Sequence, residues 1–246
     1  MALLSMRNVS LRFGGIVALD DVSIDVEQGQ IAGLIGPNGA GKTTAFNVIT
    51  RLYRPDEGDL EFDGDSLLRL PAHQIVRHGI ARTFQNVELF TTMTVLENVL
   101  VGADAVSGFE RESARRRRAE KTLDLVGLGG LRNRPAVGLP FGTLKRVELA
   151  RALASSPRLL LLDEPASGLN HEEVEELGAL IGRLREELEL TVLLVEHHMN
   201  LVMSISDYVH VLNFGQMIAS GVPADVQRNP DVIEAYLGGE IDDRAA

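Results

Sequence analysis

Cysteine is absent from the 246 residues. This excludes a disulfide framework and any thiolate metal site, and it fits a reducing cytosol. Long apolar runs are missing too. A stretch such as "LLLL" at Leu159–Leu162 falls far short of the ~20 residues a membrane helix needs. The N-terminal "MALLSMRNVS" lacks a charged region followed by a long apolar one, so no secretory signal is expected. Positive charge is scarce: 24 Lys and Arg stand against 35 Asp and Glu, a net charge of −11. A bare phosphate backbone is therefore not expected as the partner of the whole surface, and no nucleic-acid partner is expected. Internal repeats, low-complexity segments and heptad stretches are also lacking. What is present is a composition of 45% hydrophobic and 24% charged residues, which suits a large α/β domain able to bury a full core.

Strand-like and helix-like segments alternate. "QIAGLI" (Gln30–Ile35) is a short apolar run read as a buried strand, followed by a glycine-rich turn and a helix from Lys42. Leu159–Leu162, Thr191–Val195 and Tyr208–Leu212 have the same character, that of parallel strands covered on both faces. A helix is predicted over His171–Leu188, with Asn170 as its N-cap and Glu172 and Glu173 at the positive end of its dipole. Asp63–Leu67, "DGDSL", carries an Asp-Gly turn between antiparallel strands. Between Thr91 and Leu128 strand signals vanish. "TVLE" (Thr94–Glu97) reads as a capping box opening a helix through about Ala103, and a charged helix spans about Glu112–Val126. Its run Arg115–Arg118 reads as a solvated face, because Glu110, Glu112 and Glu120 surround it. The expected organisation is one domain over 1–246: a core with an antiparallel β part from 1–90 and 156–246, and a helical subdomain over 91–155 that ends after the helix containing "RVELARAL" (Arg146–Leu153).

"GPNGAGKT" (Gly36–Thr43) is a Walker A loop, which Thr44 extends. Its residues Gly36, Pro37, Asn38, Gly39, Ala40, Gly41, Lys42, Thr43 and Thr44 are the candidate ATP-binding set. Consecutive backbone N–H groups curl round phosphates, which needs glycine where φ is positive or a side chain would collide. Lys42 reaches the β and γ phosphates, and the Thr43 hydroxyl ligates Mg²⁺. "LLLLDE" (Leu159–Glu164) is the matching Walker B, a hydrophobic strand ending in two acids. Asp163 is expected to hold Mg²⁺ through water, and Glu164 to polarise the attacking water as general base.

With these motifs the chain resembles the ATP-binding subunits of ABC transporters over nearly its whole length. The resemblance implies an ABC-type P-loop ATPase with a mainly parallel core sheet, an N-terminal antiparallel β subdomain and a helical subdomain. It implies that Gln85 in "RTFQNVELF" senses the γ-phosphate and Mg²⁺, and that His197 in "TVLLVEHHM" is a switch histidine, with His198 a helix-start residue. Ser167, Gly168, Leu169 and Asn170, within "ASGLN", match the loop that crosses to the partner subunit. Phe13 in "LRFGG" matches an adenine-stacking aromatic, with core packing as the alternative. Val87–Met93, with Leu89 and Phe90 taken as exposed, are candidates for a groove receiving a membrane-subunit helix, against packing inside the helical subdomain.

"LPFGTLKR" (Leu139–Arg146) occupies the place of the signature loop, usually Leu-Ser-Gly-Gly-Gln, which contacts the γ-phosphate bound by the partner subunit. Leu139 and Gly142 match; Pro140, Phe141 and Thr143 replace serine, glycine and glutamine. Proline offers neither hydroxyl nor N–H, and losing one hydrogen bond to a charged group weakens a closed site by roughly 1.5–3 kcal/mol. Thr143 is expected to cap the following helix. "LRFGGIVALDDVS", Phe141, "VEHHMNLVMSISD" (Val195–Asp207) and "VIEAYLGG" (Val232–Gly239) resemble the branched-chain amino acid uptake group. Lipopolysaccharide-export and urea or amide systems look similar, and ABC ATPases of DNA repair or translation, or a subunit with little hydrolysis, stand as alternatives. The resemblance implies ATP and Mg²⁺ as cofactors. It also implies a second ATPase subunit set head to tail, alike or different, integral membrane permeases, and indirectly a solute-binding protein. The implied location is cytoplasmic, peripheral on the inner face of the cell membrane.

Overall fold

The computed structural model of the chain describes residues 2–106, 108 and 110–242, with side chains up to residue 236. It opens with strands β1 (Ala2–Phe13), β2 (Ile16–Glu27) and β3 (Ile31–Ile35), helix α1 (Lys42–Ile49), strands β4 (Glu57–Phe62) and β5 (Asp65–Ser66), and helix α2 (Ala72–Ile75). Strand β6 (Ile80–Arg82), helices α3 (Val95–Asp104), α4 (Glu112–Leu125) and α5 (Phe141–Leu153), strand β7 (Leu159–Asp163) and helix α6 (His171–Leu188) follow. The chain continues through strand β8 (Thr191–Val195), helix α7 (Met199–Ile205), strands β9 (Tyr208–Asn213) and β10 (Gln216–Gly221), and helices α8 (Pro223–Val226) and α9 (Pro230–Asp242). Contacts divide it into a discontinuous unit, residues 1–72 with 191–246, and a continuous one, residues 73–190.

The discontinuous unit holds an antiparallel sheet in the order β2-β1-β4-β5. In β2, Val22, Ile24 and Val26 are buried while Ser23, Asp25 and Glu27 are exposed, the period of two that puts one face on a core. Asp63 (φ 53°) and Gly64 (φ 82°) turn β4 into β5, as an Asp-Gly pair does in a tight hairpin. The other sheet of this unit runs β10-β9-β3-β8, with β3 parallel to both β8 and β9. Every residue of β3 and β8 is buried, so these strands read as continuous apolar runs. The Asp207 carboxylate accepts the Ile31 N–H at 2.9 Å and fixes the start of β3.

In the continuous unit, β6 and β7 pair in parallel, Arg82 opposite Leu161. α3 starts at the expected capping box, Thr94 with Glu97. α6 spans the expected residues and adds a reciprocal box of its own, Asn170 with Glu173. Its buried Val174, Leu177, Ile181 and Leu184 form the apolar stripe of an amphipathic helix. The arginine run is more than a solvated face. The exposed Arg116 pairs with the half-buried Glu120, but Arg118 pairs with Glu110 and donates to the Ala103 and Ala154 carbonyls, stapling α4 to its neighbours. Element ends differ by a residue from expectation: β3 begins at Ile31, and α4 ends at Leu125. Strands β6 and β10 were not foreseen.

Candidate nucleotide site

In the discontinuous unit the phosphate loop leaves β3 at Gly36, whose φ is 152° and whose missing Cβ would lie 2.0 Å from the Leu212 carbonyl oxygen. No residue with a side chain fits there without moving the β9 backbone. Gly41 follows in a left-handed conformation as the N-cap of α1, which has no acid in its first turn. The positive end of the helix dipole is thus left to an anion. Lys42 is buried, and its Nζ donates to the Gly36 and Pro37 carbonyls at 2.8 and 2.9 Å. From behind, the Gly215 N–H at the β9–β10 turn donates to the Ala40 carbonyl. The buried Tyr236 hydroxyl of α9 faces the Gly36 backbone without completing a hydrogen bond of normal geometry, and burial pushes its phenol up to about 12. Thr43 is exposed in the first turn of α1.

Phe13 ends β1 half-exposed and meets the Tyr53 ring edge-on at 5.1 Å, so it is not a core residue. The carboxylate of Glu196, almost fully buried after β8, accepts the backbone N–H groups of His197 and His198 at 2.9 and 3.2 Å. The His197 side chain is exposed, and His198 takes the N-cap of α7.

In the continuous unit the last residue of β7 and the residue after it are two acids with different partners. Asp163 is paired at 2.7 Å with Arg82, and both side chains are nearly buried. Glu164 has φ 47°, a strained conformation for a residue with a Cβ, and its Oε2 accepts the Gln85 amide Nε2–H at 2.7 Å. Gln85 is exposed. Thr43, Gln85 and Asp163 offer the hard oxygen donors that Mg²⁺ prefers. Among the described residues no group of three or more His, Cys, Asp and Glu could hold a metal by itself.

Pro140 is the N-cap of α5, with φ −54° and ψ 149°, and its carbonyl accepts the Leu144 N–H. Thr143 does not cap this helix, contrary to expectation. The helix already begins at Phe141, so Thr143 lies inside the first turn. The first-turn N–H groups survive the proline, because a residue at the N-cap contributes its carbonyl to the helix, not its N–H. Phe141 lies against the next loop: a Cβ on Gly168, whose φ is 81°, would come within 2.8 Å of its ring. Leu139 is buried, whereas Pro140, Gly142, Thr143 and Glu173 line an open cavity of ≈ 220 Å³. Ser167, Gly168 and Leu169 lead into the Asn170 cap. Of the expected groove, Phe90 and Met93 are exposed, but Leu89 is half-buried. The fully buried Asn98 accepts the Phe90 N–H and donates to the Phe90 carbonyl, which fixes the turn that tucks Leu89 inward. Phe84 is exposed as well.

The profile of the ABC transporter family matches residues 19–167, a span holding the phosphate loop, Gln85, the Leu139–Thr143 loop and both acids of β7. The chain belongs to the ABC transporter family. This ABC transporter subunit is an ATPase with the family's fold. A second profile, of the branched-chain amino acid ATP-binding cassette transporters, matches residues 216–242. Within it, the side chains of 237–239, part of the "VIEAYLGG" ending, lie outside the described residues. The high-affinity branched-chain amino acid transport ATP-binding protein BraF of Pseudomonas aeruginosa is 45% identical, over 96% of this chain and 98% of BraF. LivG of Escherichia coli is 44% identical with the same coverage. Among solved structures, the ADP conformation of the cassette MJ1267 superposes with a TM-score of 0.88 at 33% identity, covering 97% of this chain and 99% of that one. The dimeric cassette MJ0796 gives 0.79 at 28% identity, covering 89% and 98%. Sequence reasoning missed Tyr53, Arg82, Glu196 and Tyr236. Tyr53, Arg82 and Tyr236 act on partners far away in the chain, whereas Glu196 acts on the two residues that follow it.

Proposed function

We propose that this chain is the ATP-hydrolysing subunit that powers a membrane importer of branched-chain amino acids. The observation that carries the chemistry is the Gln85–Glu164 hydrogen bond at the strained residue following β7. It sets side by side a carboxylate and an amide, the two groups that a general base and a γ-phosphate sensor require. Lys42, Thr43 and the loop N–H groups hold the phosphates. Water attacks the γ-phosphorus, its proton passes to Glu164, and the bond to the ADP oxygen breaks. Thr43, Asp163 and Gln85 would hold Mg²⁺, which neutralises phosphate charge when bound. Arg82 pairs with one oxygen of Asp163. His197, whose backbone N–H the Glu196 carboxylate accepts, is assigned to the γ-phosphate, and Phe13 with its neighbour Tyr53 to the adenine.

The cargo reading rests on BraF, LivG and the match at 216–242. It implies permease subunits, a solute-binding protein, and a second ATPase subunit whose phosphates meet this chain's Leu139–Thr143 loop. No helix among the described residues is long and apolar enough to cross a membrane. The test is mild-detergent purification of the tagged chain, followed by reconstitution in vesicles. Integral membrane proteins should co-purify, and a leucine-loaded binding protein should stimulate ATP turnover. Stimulation by a urea- or amide-binding protein instead would overturn the cargo assignment. Co-purified ribosomes or DNA would overturn the transporter.

A further inference from the structure

Helix α5 carries Lys145, Glu148 and Arg151 at intervals of three, on one face. Lys145 and Glu148 are 7% and 2% exposed, an unfavourable placement for charged groups unless specific partners hold them. The partners are main-chain groups of the segment after β6. Lys145 Nζ donates to the Gln85 carbonyl at 2.7 Å, and Glu148 Oε1 accepts the Phe84 N–H at 3.3 Å. Arg151 Nη1 donates to the Glu88 carbonyl, while its Nη2 lies 3.7 Å from Glu148. Burial pushes the Glu148 carboxyl up, opposed by the Phe84 N–H, Arg151 and Lys145. The helix therefore grips the backbone on both sides of the Gln85 peptide, and the Gln85 side chain reaches Glu164 at 2.7 Å. The same Lys145 ammonium stands 5.6 Å from the centre of the Phe141 ring, at the start of α5.

We propose that Lys145 and Glu148 are positioning residues of the ATPase reaction, which hold Gln85 in register with Glu164 and tie that register to the Phe141 end of α5. The proposal rests on the reading of Gln85 and Glu164 given above. Neither Lys145 nor Glu148 touches nucleotide in this scheme. A shift of α5 moves the Gln85 carbonyl and, with it, the amide that meets the base.

The test is steady-state ATPase and ATP affinity of the full chain carrying Lys145→Met, Glu148→Met, Lys145→Arg or Gln85→Ala, and of the double variants. Lys145→Met is expected to lower kcat about tenfold, the effect of one charge-assisted hydrogen bond, with ATP affinity unchanged. Lys145→Arg should recover most of the loss, because the donor is restored. In a Gln85→Ala background, Lys145→Met and Glu148→Met should add less than about twofold, because the group they position is gone. A helix that merely stabilises the fold would lower kcat and affinity together and add in full. Full additivity, or wild-type kcat in Lys145→Met, overturns the positioning role. Wild-type kcat in Gln85→Ala is a different failure, which removes Gln85 from the reaction and the proposal with it. If Glu148→Met does not fold, Lys145→Met alone decides.

Discussion

Lys42 is the residue whose chemistry is most exposed to a single change. Its ammonium already bridges two loop carbonyls, so Lys42→Ala removes a phosphate ligand and a brace of the loop together. ATP affinity measured by calorimetry should fall by roughly 10–100-fold, the range for losing a hydrogen bond between charged groups. Far-ultraviolet circular dichroism should stay as in the parent, and unchanged affinity would remove the residue from phosphate binding. Glu164→Gln is the complementary change. The glutamine can still accept from Gln85 and keeps the same strained backbone, but it cannot take a proton from water. Turnover should drop by about 10²–10⁴-fold while ATP binding persists. Turnover near that of the parent would show that the base lies elsewhere.

The β9 strand carries a titratable element. His210 is 5% exposed, with Nε2 at 3.2 Å from the Asp25 carbonyl and its ring edge-on to Tyr208. Burial holds its pKa below the usual histidine value, against the pull of the Asp25 carbonyl and carboxylate. The folded chain therefore keeps the ring neutral where the unfolded chain, with a pKa near ~6.5, takes a proton. Stability from this site is present above about pH 6.5 and is lost as pH falls below it, by at most ~1.4 kcal/mol per pH unit. Thermal melts at pH 7.5 and 5.5 should show a smaller drop for His210→Gln than for the parent. Equal drops would place the acid sensitivity elsewhere. At this scale the sequence was most legible where a signal is local. Asn170 capped α6 at the expected residue, and the glycine pattern of the phosphate loop needed no distant partner to be read. An antiparallel N-terminal part was expected, but the bounds of β1 and β2 escaped, because register shifts between Met6 and Val9, and again before Leu11, break the alternation. β6 has three residues, too few to show any period. The Arg82–Asp163 pair and the grip of Lys145 on Gln85 join residues far apart in sequence, and no nearby pattern encodes such a meeting.

For the whole molecule, the open question is how well the Leu139–Thr143 loop serves a partner subunit. Pro140 sits in backbone angles that suit a serine N-cap, and it lacks that serine's hydroxyl and N–H. In a Glu164→Gln background, Pro140→Ser should leave monomer ATP affinity unchanged and tighten the ATP-driven dimer by up to roughly 10–100-fold, the effect of one charge-assisted hydrogen bond. Ultracentrifugation at several ATP concentrations would measure it. An equal or weaker dimer would mean that the proline loop is adapted as it stands. The pairing of β3 has a consequence for biosynthesis. Its two neighbours, β8 and β9, lie far downstream. About 150 residues separate Ile35 from Thr191, and at ~5–20 residues per second the ribosome needs on the order of ten to thirty seconds to supply the first of them. For that interval the nascent phosphate-loop strand has two unsatisfied edges, while residues 73–190 can already collapse on their own contacts. A chain released before β8 would carry a bare apolar strand with neither edge covered, and one released between β8 and β9 would have only one edge covered.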